Sequence, residues 1–166
     1  MTTYSELTTK FKFMASITGR YFAKISGTGA FADLTSTFPG LTILAMDSFE
    51  KSGKAKNIYT ASWVNSQEED VNIPDTVYYE NPDMNISFIV MDSAETAVDV
   101  LSVHDSFISF LKGNRVTLKS LYSMKMADFV CLDEYSPTSK KLGRAQGYNF
   151  MTGTIKMHRV GAATNV

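Results

Sequence analysis

A single cysteine, Cys131, stands in a chain of 166 residues, so no internal disulfide can form and the small disulfide-stapled scaffolds are excluded. It lies in the apolar run Phe129-Val-Cys-Leu132, where a small buried hydrophobe is the expected role rather than a reactive thiol. Histidine is almost as scarce, with His104 and His158 alone. One cysteine and two distant histidines offer no close ligand pair, which argues against zinc chemistry. Long apolar runs are also missing. The longest, such as residues 86–91, suit a strand and fall far short of the ~20 residues that a membrane-spanning helix needs. The opening Met-Thr-Thr-Tyr-Ser-Glu has no basic region followed by an apolar core, so synthesis in the cytosol is the expectation. An excess of positive charge is absent as well: 16 basic against 17 acidic residues give a net charge of −1, the wrong balance for gripping nucleic-acid phosphates.

What remains is an ordinary globular composition, 44% hydrophobic and 20% charged, with length enough for one domain and a sizeable core. Residues 1–40 differ in texture from the rest. Tyr4, Leu7, Phe11 and Met14 recur at helical spacing, whereas Gly19, Gly27, Gly29 and Pro39-Gly40 interrupt the stretch beyond Met14, which predicts a short helix and an extended arm. From Leu41 onward the chain reads as a β domain. Residues 41–46 and 57–64 are β-branched or aromatic runs around the polar turn 50–54, and their proximity predicts a hairpin between them. Residues 84–91 form a further strand. Asp92 with Glu95 then has the form of a capping box for a helix over about 93–112, with Ala94, Ala97, Leu101, His104, Ile108 and Leu111 on one face and Gly113 at its end. Strands are predicted at 116–122, 129–132 and 148–157, with 136–141 as a turn. This order predicts a mainly β fold, an antiparallel sandwich or curved sheet flanked by that one α-helix, preceded by the N-terminal arm.

The chemical motifs are weak. Gly27-Thr-Gly29-Ala-Phe-Ala32 matches a dinucleotide-binding glycine pattern, with Asp47 where a ribose-binding acid would fall. The helix that should start in the glycine loop would be short, Thr-rich and stopped by Pro39. Ser52-Gly53-Lys54 lacks the upstream glycine and the downstream hydroxyl of a phosphate loop. His104 falls on the apolar helix face beside Asp105, where a satisfied core histidine is expected, and His158 belongs to a solvent-facing strand position. Asn85-Ile-Ser87 is a glycosylation sequon only in form. No catalytic residue, metal ligand or cofactor is assigned. The strongest asymmetry is one of charge: segment 65–83 contains Glu68, Glu69, Asp70, Asp75, Glu80 and Asp83 and no Lys or Arg. Such a loop is either a solvated face or a surface that repels phosphates.

Taken in order, the opening strand 41–46, the second strand ending in Trp63-Val64 before an extended loop, the strand 85–90, the helix, Arg115-Val-Thr-Leu-Lys-Ser-Leu121 and the closing pair 129–132 and 149–157 resemble the tail-tube fold of long-tailed phages. That fold is shared by tail tube, distal tail and tail terminator proteins and by the tube protein of type VI secretion systems. The resemblance covers about 41–160. It implies a non-enzymatic subunit of a homohexameric ring, most simply a tube protein, with a distal tail or terminator ring as the alternative. It further implies stacked rings, other tail proteins as partners, DNA passing without specific binding, no membrane, assembly in the host cytoplasm and residence in the virion tail. The six acids would then face the lumen or the next ring. A β-rich binding module of some other assembly, or a nucleotide-binding enzyme resting on Gly27 to Ala32, are the competing readings.

Overall fold

The computed structural model describes residues 21–46, 49, 53–56, 59–62, 69–72, 79–92, 99–142 and 149–166, of which 59–62 and 69–72 are described by backbone alone. The described elements are β1 (Tyr21–Ile25), β2 (Ala32–Asp33), α1 (Leu34–Thr37), β3 (Leu41–Met46), β4 (Tyr59–Ser62), β5 (Glu69–Asn72), β6 (Asp83–Met91), α2 (Val100–Lys112), β7 (Val116–Ser120), β8 (Lys125–Val130), β9 (Pro137–Lys141) and β10 (Phe150–Asn165). The main sheet is antiparallel in the order β2-β1-β7-β8-β10-β6-β3, with β9 also paired to β10, while β4 and β5 form a sheet of their own.

The two outermost strands of that path, β2 and β3, are joined by residues 34–40 alone. A flat seven-stranded sheet would be roughly 29 Å wide, more than one helical turn and a tight corner can span. The sheet therefore curls until its edges approach, and α1 bridges them. β10 is its spine. The N-terminal half pairs with β6 from Phe150↔Met91 to His158↔Asp83, and the C-terminal half passes to β8 through an irregularity at 160–164. Gly161, at φ +88°, occupies the left-handed conformation that this bulge requires.

Alternation supplies the core. Met84, Ile86, Phe88 and Val90 of β6, Val116 and Leu118 of β7, Phe129 of β8 and Met151, Ile155 and Met157 of β10 are buried on the inner face. Helix α2 closes this face with Val100, His104, Phe107 and Leu111. Phe107 meets Phe38 and Phe88 edge-on, at 5.3 and 5.0 Å between centroids. The result is the expected fold class, a curved antiparallel sheet with one substantial helix.

Several local expectations change. The described helix begins at Val100, capped by Asp99, whose side chain accepts from the Ser102 N–H. The Asp92 N–H donates to the Asn149 carbonyl, Leu101 is exposed, and the capping box read at Asp92 and Glu95 rests on residues 93–98, outside those described. Gly113 ends the helix in a right-handed conformation, not the left-handed one that glycine usually supplies. The hairpin expected between 41–46 and 57–64 does not form: β3 pairs with β6 and β4 with β5. Residues 21–40 are not an extended arm, because β1 pairs along its length with β7 and the glycines make turns rather than breaks. Segment 136–141 is the edge strand β9 rather than a turn; every residue in it is exposed, so it carries no apolar alternation to be read. Tyr4, Leu7, Phe11, Met14, Asp47, Ala94, Glu95 and Ala97 lie outside the described residues.

Candidate functional site

Enzyme-like features dissolve once their geometry is considered. The glycine segment leads from β1 into β2, which returns antiparallel through Ala23↔Ala32. The helix after it is a single turn starting at Leu34, beyond the loop rather than in it, so no row of helix N–H groups faces a pyrophosphate. A shallow, open cleft of about 240 Å³ lies there, and Lys24, Thr28 and Thr37 are its only polar side chains. His104 is buried, with Nδ1 donating to Asp105 at 2.9 Å and Nε2 bonded to the Tyr135 hydroxyl at 2.8 Å. Burial pushes the Tyr135 hydroxyl up to about 12, with the nearby Asp105 adding to the effect, so it is no base at neutral pH. Its ring lies across Gly153 of β10, where a Cβ would collide with it. The trio is a core fastening. Cys131 is partly buried, its thiol pushed up by burial, and donates to the Asp133 carbonyl. Among the described residues no group of His, Cys, Asp and Glu could hold a metal ion, and no helix is long and apolar enough to cross a membrane.

The feature that stands apart is the excursion between β3 and β6. At its root the Glu80 N–H donates to the Lys54 carbonyl at 2.8 Å and Ala55 bridges Tyr79. Gly53 lies so close to the Glu80 backbone that no side chain fits between them, which is why glycine stands there. Beyond the root, β4 and β5 pair from Tyr59↔Asn72 to Ser62↔Glu69 with no ladder to the main sheet. This is a two-stranded arm. Of the six acids, Glu69 and Asp70 lie on β5, Glu80 is exposed at the root and Asp83 opens β6. Glu68 and Asp75 lie outside the described residues.

Asp83 is not a free charge. Lys156 Nζ is 2.7 Å from one of its oxygens and His158 Nδ1 2.8 Å from the other, while Lys156 also reaches Asp133 at 3.4 Å. The hydrogen bond from Lys156, then that from His158, holds the Asp83 carboxyl below its ordinary value, and the same ion pair raises Lys156, with Asp133 contributing. Arg159 completes the fastening, its N–H donating to the Pro82 carbonyl and its guanidinium to that of Phe49. A second node was equally hidden in the sequence. Asp128 accepts from Thr117 at 2.6 Å, Ser26 at 2.9 Å and Arg115 at 2.8 Å, tying β1, β7 and β8 together. Burial alone would raise this carboxyl; the bonds from Thr117, Ser26 and Arg115 outweigh it and leave the group lowered. Only the outward alternation of β8 and β10 hinted at either node.

Among the described residues the curled antiparallel sheet ends at β2, β3 and β9, each paired on one side only, with α2 packed on its inner face and β4–β5 as a separate two-stranded ribbon. Two solved structures are similar to this chain. The Dit (gp 19.1) protein of phage SPP1, described as a paradigm of the hub adsorption apparatus in phages infecting Gram-positive hosts, superimposes with a TM-score of 0.51 at 9% identity, over 82% of this chain and 49% of Dit. The chain thus spans about half the length of that protein. The tail of an empty GTA particle with C6 symmetry is a more distant likeness, with a TM-score of 0.43 at 13% identity, over 89% of this chain and 94% of that one. No protein-family model and no curated protein matches the sequence.

Proposed function

We propose that this chain is a structural subunit of a phage-type tail, working by assembly rather than catalysis. The observation that carries the reading is the fold shared with SPP1 Dit across 82% of the chain. The edges at β2, β3 and β9 support it, because among the described residues each pairs on one side only, and such an edge is a template for a neighbour unless something covers it. In its finer form the subunit closes homohexameric rings that stack into a tube within the virion tail, with other tail proteins at its ends. DNA passes through the opening without specific binding. The acidic arm, with Glu68, Glu69, Asp70, Asp75 and Glu80, borders that opening or the next ring, and Asp83 fastens its root. A distal-tail ring is the second reading, favoured because the Dit likeness is to a hub protein.

Electron microscopy and mass photometry of the purified chain over rising concentration test this. Stacked rings or tubes are expected for a tube subunit and single closed rings for a distal-tail subunit. A particle that stays monomeric or dimeric, alone and in the presence of native tails, defeats both.

A further inference from the structure

β9 lies at the rim of the sheet with no side chain packed into the core. All of its residues, Pro137 to Lys141, are exposed, as are Ser136 before it and Leu142 after it. Lys140 stands opposite Met151, and residues directly opposite in an antiparallel pair share a face. Met151 is buried on the inner face whereas Lys140 is exposed, so the core ends at β10 and β9 overhangs it. What holds the strand is its backbone ladder to β10, from Phe150↔Lys141 to Gly153↔Pro137. That ladder is weakest at its far end, where the register slips between Thr152 and Gly153 and Pro137 has no N–H to give.

Just before that end the chain is held quite differently. The Tyr135 hydroxyl is bonded to buried His104 at 2.8 Å, and its ring stacks on Phe88 at 6.1 Å between centroids and lies across Gly153. Only Ser136 separates this fixed post from β9. β10 does not depend on β9 either. Its other side runs along β6 from Phe150↔Met91 to His158↔Asp83, and Met151, Ile155 and Met157 anchor it in the core. Strands are ordered chiefly by the apolar surface they bury, while each backbone hydrogen bond contributes little net, because water offers the same bond to the open form. β9 has the second contribution without the first.

We infer that β9 is a releasable strap: residues 137–141 leave β10 as one unit, turning at Ser136, while Tyr135 and the core stay in place. The device belongs to the lone chain and goes beyond the tail reading. Its consequence is that one rim of the sheet exists in two forms. With the strap closed the rim is β9; with the strap open it is β10 from Phe150 to Gly153, whose backbone groups on that side are uncovered. The strap thus sets which strand the sheet presents at that rim.

Amide hydrogen exchange on the full chain, resolved by residue with NMR at rising but sub-denaturing guanidinium, decides it. Along Phe150–Gly153 successive N–H groups point alternately to β9 and to β6, which places the control on the same strand. The amides shared between β9 and β10 should exchange about a hundredfold or more faster than those facing β6, with one common opening and little response to denaturant, the mark of local release. Those facing β6 should exchange only as the core opens. Tyr135→Phe, which removes the bond to His104, should speed the β6-facing amides by about fivefold or more and leave the β9-facing ones unchanged, because the post is in place in both forms. Equal protection on the two sides of β10, or β9 amides that open independently of one another, overturns the inference. Faster β9-facing exchange in Tyr135→Phe overturns it too, since the post would then leave with the strand.

Discussion

Asp128 is the residue whose consequences are easiest to measure. Its carboxyl lies below the ordinary value in the folded chain, so its contribution to stability is fully present above the unfolded carboxylate range near pH ~4 and is lost as pH falls through the lower folded value. Asp128→Asn, which keeps the shape but loses charge-assisted bonds from Thr117, Ser26 and Arg115, should cost about 1–2 kcal/mol near neutrality. That gap should close as pH drops from about 6 to about 3, read from urea unfolding at each pH; a gap that widens toward acid contradicts the assignment. Gly153 makes a separate point. Tyr135 lies where a Cβ would stand, so Gly153→Ala must displace the ring and break its bond to His104. In a Tyr135→Ala background the same change meets no ring and should cost markedly less, a coupling that a double-mutant cycle in urea detects.

At the scale of elements, α2 and β6 form the hinge of the fold's stability, because Phe107 fills the space between Phe38 and Phe88 with no exposure to solvent. Phe107→Ala should cost about 3–5 kcal/mol through lost contacts and the cavity left behind; a loss below about 1 kcal/mol in denaturant unfolding would place the core elsewhere. The elements legible in the sequence are those with one face buried. β3 appears at its predicted bounds, and β6 and the start of β7 nearly so, because alternation and β-branched residues mark them. β9 was invisible because Pro137 to Lys141 is wholly exposed, and β1 was masked by the glycines just after it. Pairing was less legible still. β3 finds its partner across the whole arm, and no local pattern records so distant a choice. The acidic run that defines the arm was plain in the sequence. The pairing of Asp83 with Lys156 was not, since the two meet only through the register of β6 with β10.

At the scale of the whole molecule the decisive property is what the charge does to a polyanion. The chain carries 16 basic and 17 acidic residues, and the described cations are partly spent: Arg115 on Asp128, Lys156 on Asp83 and Asp133. Binding to duplex DNA draws its affinity from released counterions, which requires several uncommitted cations along one groove-sized surface. The near-balance of charge leaves no excess of cations for such a surface. A tail subunit through which DNA slides should behave in this way, since every cation that holds a phosphate is a brake. Fluorescence anisotropy of a labelled duplex titrated with assembled protein near physiological salt should therefore show no saturable binding tighter than about 10⁻⁴ M, the weak end of nonspecific association. Tight, salt-sensitive binding by the wild-type assembly would mean that its opening grips DNA instead of passing it, and the conduit reading would have to be abandoned even if rings form.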